Sequence, residues 1–199
     1  MKTKTLKGLA LAMAVWSTAA WSNEIYMEQV GSSSTITITQ DGANNAIGTA
    51  LNPAYIGGGS NTVTIDQIGS GNELAFTVNG AATSVTVSAT GNNNVSAITC
   101  GTAMSASCSG SAITQTIVGD GNTVTQTLGG GGNHTSALTV TGDTNTVTHT
   151  STNTGAVNVN YTVSGDTNTV SITTAGTTAK ALNASTTGNN NTVTIVQTN

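Results

Sequence analysis

Gly142-Asp143-Thr144-Asn145-Thr146-Val147-Thr148 returns 23 residues later as Gly165-Asp166-Thr167-Asn168-Thr169-Val170-Ser171, with one conservative change in seven positions. Outward from this stretch, its Gly-x-x-Asn core is written seven times: Gly42…Asn45, Gly69…Asn72, Gly91…Asn94, Gly119…Asn122, Gly142…Asn145, Gly165…Asn168 and Gly188…Asn191. The glycines stand 27, 22, 28, 23, 23 and 23 residues apart. Four intervals of 22–23 set the period, and the two long ones carry insertions near 48–57 and 100–109. Self-similarity at a fixed period of this length marks a stacked repeat architecture. Further glycines (Gly31, Gly58, Gly80, Gly131, Gly155, Gly176) divide most periods near the middle. Each repeat reads as two short strands and two tight turns.

The flanks of the glycines carry the strands. Six residues before them stand Ile36, Val63, Val85, Ile113, Ser136, Val159 and Leu182; five after them stand Ile47, Leu74, Ser96, Val124, Val147, Val170 and Val193. Threonines alternate with these positions, as in Thr123/Thr125, Thr146/Thr148 and Thr192/Thr194. Period-two alternation rich in β-branched residues is a strand signal. The fold expected over 23–199 is all-β, a β-solenoid of about seven strand–turn–strand rungs with cross-β stacking. Apolar residues face inward and threonines outward. One repeat has too few aliphatics to make a core, so neighbouring rungs must supply it. Glycine suits a turn that needs positive φ. The asparagine three residues on is expected to stack on its equivalents as an amide ladder.

The first residues read as an address. Lys2, Lys4 and Lys7 precede the uncharged stretch Gly8 to Trp16, and Ala20-Trp21-Ser22 offers a small-residue cleavage site before Asn23. This is the pattern of a signal peptide over 1–22. The apolar run is too short to span a bilayer, and no later segment qualifies. Without the leader, a single cation, Lys180, faces eight carboxylates, and there is no arginine. Tracking phosphates requires Lys and Arg, so nucleic-acid binding is excluded.

In an exported chain the only two cysteines, Cys100 and Cys108, are expected to form a local disulfide that staples the bulge 101–107, with free thiols as the alternative. His134 and His149 lie in different repeats with no metal-ligand or catalytic constellation around them. No serine or threonine has a positioned base and orienting group. Gly129-Gly130-Gly131-Gly132 lacks the Lys-Ser/Thr of a phosphate loop. Neither enzyme activity nor a cofactor is expected.

The repeats resemble those of the curlin family, the subunits of the bacterial biofilm amyloid curli, whose repeat is written S-x5-Q-x-G-x2-N-x-A-x3-Q. Ser34-x5-Gln40-Asp41-Gly42-x2-Asn45 matches it through the asparagine. Asn61-x5-Gln67-Ile68-Gly69-x2-Asn72 differs only at the leading serine, Gln29-Val30-Gly31 looks like a preceding half-repeat, and Asn191-x-Val193-x3-Gln197 matches the closing half. The glutamine two before glycine becomes Ala89, Ile117, Val140, Val163 and Thr186 in later repeats, while Gln115 and Gln126 stand outside that column. The resemblance implies glutamine ladders at Gln29, Gln40, Gln67 and Gln197, export through an outer-membrane pore, and nucleated growth into extracellular fibres for biofilm matrix and adhesion.

Two features bear on polymerisation. The motif starts within a few residues of Asn23, and the last strand, Asn191 to Gln197, runs almost to Asn199, so no cap is expected on either end. Open edges invite a matching strand, and head-to-tail addition does not close. Asp120, Asp143 and Asp166 each follow a repeat glycine and form a column of like charges. They read as solvated turn residues, as gatekeepers that slow assembly, or as a cation site, although one carboxylate per rung falls short of calcium's needs. The gatekeeper reading expects faster fibril growth in acid than at neutrality. Alternatives to a fibre subunit are a nucleating subunit, a surface adhesin, or a soluble threonine-faced module of the ice-binding kind.

Overall fold

Strands with an apolar residue at every second position need a facing sheet, and a chain that repeats this every 23 residues supplies one by coiling. The computed structural model describes residues 10–15, 22–101, 108–131 and 133–199. Two parallel sheets face each other across the interior. The first holds β1 (Ala10–Val15), β4 (Thr35–Asp41), β7 (Thr62–Ile68), β9 (Ser84–Thr90), β11 (Ala112–Val118), β13 (His134–Thr141), β15 (Val157–Ser164) and β17 (Lys180–Thr187) in that spatial order. The second is built from β2 (Glu24–Ile25), β3 (Met27–Val30), β5 (Ala46–Ile47), β6 (Ala54–Gly57), β8 (Glu73–Asn79), β10 (Val95–Cys100), β12 (Thr123–Leu128), β14 (Thr146–Ser151), β16 (Thr169–Thr174) and β18 (Thr192–Gln197). The chain crosses from one sheet to the other at every turn. The expected β-solenoid of about seven coils is the observed fold, preceded by a half-coil, β2 and β3.

Register is in phase throughout. Val85 pairs with Ile113, Ile113 with Ser136, Ser136 with Val159 and Val159 with Leu182. On the other sheet Val124, Val147, Val170 and Val193 form one column. A one-residue slip would turn every inward side chain to solvent, so the alternation pins the pairing. Inward columns are almost fully buried in the middle coils: Val63, Ile65, Val140, Val163 and Ile172 are at most 1% exposed. Both insertions leave this frame intact. Residues 48–53 bulge between β5 and β6, and Tyr26 bridges the gap below by accepting from Ala54 N–H and donating to Ile47 C=O, each at 2.8 Å.

Backbone ladder bonds continue through the turns, for example from Gly142 N–H to Val118 C=O at 2.9 Å. Such close stacking is why the turn glycine admits no side chain. At Gly119, with φ of 122°, an added Cβ would lie 2.1 Å from the carbonyl oxygen of Gly142 on the next coil. Of the expected leader, only residues 10–15 and Ser22 are described, the former as β1 beside β4; the remainder lies outside the described residues. So do 102–107 of the expected bulge and Gly132 of the glycine run.

Candidate functional site

The asparagine column is the most regular polar feature. Asn145 Oδ1 accepts from both the backbone N–H and the Nδ2 of Asn168, at 2.9 and 3.0 Å, while Asn145 Nδ2 donates to Gly165 C=O at 2.7 Å. The same pattern joins Asn45 to Asn72, Asn72 to Asn94, Asn94 to Asn122, Asn122 to Asn145 and Asn168 to Asn191. Every asparagine–asparagine bond runs one way, with each side-chain oxygen serving the following coil, while Nδ2 also donates forward to that coil's glycine carbonyl. Asn23 is an eighth member, since its Oδ1 accepts Asn45 N–H at 3.0 Å. It escaped the motif because position 20 carries alanine, not glycine, although the alternation from Glu24 to Val30 marks the half-coil that follows it. Asn45, Asn72, Asn122, Asn145 and Asn168 are fully buried. They are interior struts.

The glutamines divide. Gln40 Nε2 donates to Gln67 Oε1 at 2.8 Å inside the first two coils. Gln29 and Gln197 do not join that ladder: they lie on the opposite sheet, at its two ends, where Gln29 donates locally to Gly31 C=O and Gln197 donates to Ala181 C=O of the facing sheet. Gln115 and Gln126, which had stood out of column, are inward residues of facing strands. They belong to a buried chain: Ser96 Oγ donates to Gln115 Oε1, Gln115 Nε2 to Gln126 Oε1 at 2.9 Å, and Gln126 Nε2 to Ser136 Oγ at 2.7 Å. It ends where Ser136 Oγ meets His149 Nδ1 at 3.0 Å. This polar path passes between the two apolar clusters of the interior.

His134 and His149, expected in different repeats, belong instead to consecutive strands of a single coil on either side of the Gly142 turn, and both are buried. Ser136 Oγ accepts from Gln126, and among the described residues its own hydrogen has one acceptor in reach, His149 Nδ1. His149 is thereby assigned as the neutral tautomer with its proton on Nε2. Among the described residues that Nε2 has no hydrogen-bond partner, and the His134 ring nitrogens have none of normal geometry, although the Gly129 backbone lies near enough to oppose part of the His134 shift. Burial, with His134 nearby, pushes the His149 pKa down to about 4, and burial lowers that of His134 as well.

Asp120, Asp143 and Asp166 do more than point outward. Asn92 N–H donates to Asp120 Oδ1 at 2.7 Å, Asp120 N–H to Asp143 Oδ1 at 2.8 Å, Asp143 N–H to Asp166 Oδ1 at 2.9 Å, and Asp166 N–H to Asn189 Oδ1 at 2.8 Å. An amide oxygen does the same job at both ends of the run, so the charge is separable from the hydrogen bond. Changing all three to asparagine is expected to keep stability and to speed fibre elongation at low salt, by relieving repulsion between charges one coil apart. Changing them to alanine instead should destabilise by about 1 kcal/mol per lost acceptor. Seeded thioflavin kinetics and urea melts separate the two; equal elongation by the asparagine variant would remove the gatekeeper role. Among the described residues no three His, Cys, Asp or Glu side chains are gathered as a metal site would need.

Cys100 and Cys108 are bonded to each other, with Cα atoms 5.4 Å apart and both residues buried in the first apolar cluster. Cys108 also continues the ladder, taking Thr83 Oγ1 on its carbonyl at 2.7 Å. The staple is part of the core.

At the far end, β17 and β18 are the last strands of their sheets among the described residues. Val193 and Ile195 are only half-buried there, and Val196 is 61% exposed. The described residues contain no helix, hence none long and apolar enough to cross a membrane. Fold and ladders together define the class: a parallel two-sheet β-solenoid held by asparagine stacks. No protein-family model, curated protein or solved structure matches the chain.

Proposed function

We propose that the chain is an exported, non-enzymatic subunit of a curli-like extracellular fibre, made by head-to-tail addition of copies after removal of residues 1–22. The observation that carries the reading is an in-phase parallel stack whose strands β17 and β18 each pair on one side only among the described residues. A strand edge there offers unpaired backbone groups and half-buried aliphatics, and the best complement to one coil of this solenoid is another coil of it. The curlin-like repeats around Gln40 and Gln67 support the same assignment, with an outer-membrane pore and a nucleating subunit as its partners and biofilm matrix and adhesion as its role. Incubating the 23–199 chain at micromolar concentration is expected to give unbranched fibrils with a meridional reflection at about 4.7–4.8 Å. A chain that stays monodisperse for days overturns the proposal.

One observation favours a second reading. Thr123, Thr146, Thr169 and Thr192 form one outward column on the ten-stranded sheet, beside Thr125, Thr148, Ser171 and Thr194. Paired threonine rows at strand spacing suit an ice-binding plane. That function needs a persistent monomer with thermal hysteresis, so the sizing data that test the fibre test this reading too.

A further inference from the structure

The one-way sense of the asparagine ladder leaves two different ends. Each Oδ1 serves the N–H and Nδ2 of the next coil, so Asn191 ends the stack with an Oδ1 that receives no donor among the described residues. Asn23 begins the stack with a backbone N that meets no acceptor among them. A donor end fits an acceptor end, whereas two like ends do not. Polarity is thus written into the ladder before any apolar contact is counted.

The flanking residues agree with that pairing position by position. Counting on from Asn23 and Asn191 sets Ile25 over Val193, Met27 over Ile195 and Gln29 over Gln197. All six side chains face inward and are half-buried. Ile25 and Met27 pack against one apolar cluster of the interior, Val193 and Ile195 against the other. Outward positions also coincide, Tyr26 with Thr194 and Glu28 with Val196. Moreover, Gln197 Oε1 is a buried acceptor without a partner among the described residues, and Gln29 would bring an amide N–H to it. An orphaned acceptor at a chain edge marks a site built for a further strand.

We propose that a second copy docks its Asn23–Val30 segment as an added parallel strand on the outer edge of β18, with Asn23 over Asn191. This rests on the fibre reading and specifies its seam. In one chain the corresponding level of the eight-stranded sheet is taken by β1 on β4. With residues 1–22 removed, the ten-stranded sheet alone carries the seam. Seams are then weaker than any contact within a chain, and fibres break there.

The test uses two variants of the 23–199 chain. Ile25→Lys with Met27→Lys spoils the donor end; Val193→Lys with Ile195→Lys spoils the acceptor end. Lysine on an edge strand blocks pairing and leaves the rest of the sheet in place. Each variant alone is expected to be a sheet-rich monomer by circular dichroism and sedimentation. Mixed, they form a one-to-one dimer and nothing larger, because each retains the end the other lacks. In the unaltered background, Tyr26→Cys with Thr194→Cys should cross-link fibres into a ladder on a non-reducing gel, and Tyr26→Cys with Thr192→Cys should not, since a disulfide requires Cα atoms within about 7 Å. Fibres from either lysine variant alone, or cross-linking in the wrong register, overturn the seam while leaving fibre formation standing. Failure of the unaltered chain to polymerise overturns the fibre reading beneath it.

Discussion

Asn122→Ala is expected to lower the stability of the solenoid by about 3–5 kcal/mol, far more than a surface polar substitution. The side chain is fully buried and makes four hydrogen bonds: Nδ2 to Asn94 Oδ1 and to Gly142 C=O, and Oδ1 from Asn145 N–H and from Asn145 Nδ2. Removing it orphans Gly142 C=O and Asn145 N–H at the same turn, each at about 1–3 kcal/mol, on top of the lost bonds themselves. The Asn122 side chain itself is fully buried, although the turn residues beside it are exposed. The terminal Asn191→Ala removes only bonds at a half-buried position with nothing stacked beyond it, and should cost under ~1 kcal/mol. Because repeat arrays can lose coils piecemeal, the comparison belongs in urea titrations followed by both far-ultraviolet signal and hydrogen exchange. The acceptor-end lysine variant is the background of choice, since polymerisation is then out of the measurement. Equal losses at Asn122 and Asn191 would mean that the column is decoration and that the apolar interior alone sets the stability.

How much of this was legible follows from where the repeat signal lives. Turn glycines, the asparagine three residues on and the alternating flanks all recur at fixed offsets, so two sheets, their register and the inward columns could be read from Gly42 to Val193. Gln115, Gln126, His134 and His149 were set aside because they match no column counted along the chain from the glycine. Their meaning arises across the interior, between facing strands. Parity did place them: His134 lies two before Ser136, and His149 two after Val147, both at inward positions. What alternation cannot supply is which inward polar groups reach one another, because that depends on side-chain length across the gap between sheets. The aspartates pose the converse problem. Their like charges were evident in sequence, but their bonds to the preceding coil's N–H depend on turn geometry that only the stacked backbone reveals. At Asn23, no glycine three residues earlier announced the ladder.

Acid is expected to loosen the middle coils through His149. In the folded chain its pKa lies at about 4 against an ordinary 6.5, depressed first by burial and then by His134. The unfolded chain therefore binds the extra proton across the interval between those values, and stability falls as pH drops through it. Above about pH 6.5 the imidazole is neutral in both states and the full stability is present; below about pH 4 the loss levels off. At about 1.4 kcal/mol per pH unit the whole interval is worth roughly 3 kcal/mol, and the lowered pKa of His134 acts in the same direction. Protonation also breaks the buried path mechanically. Nδ1 becomes a donor, so Ser136 must turn its hydrogen away while still accepting from Gln126, and the hydroxyl hydrogen loses its partner. Apart from His134, the one other titratable group among the described residues that is buried in this part of the interior is Tyr161, whose hydroxyl is engaged with Thr186. His149→Gln retains an acceptor for Ser136, continues the amide character of Gln126 beside it, and does not titrate. Urea midpoints measured from pH 7.5 to 4 should decline for the parent chain and stay nearly level for His149→Gln, apart from the His134 contribution. Parallel slopes for parent and variant would show that the buried imidazole does not govern the acid response.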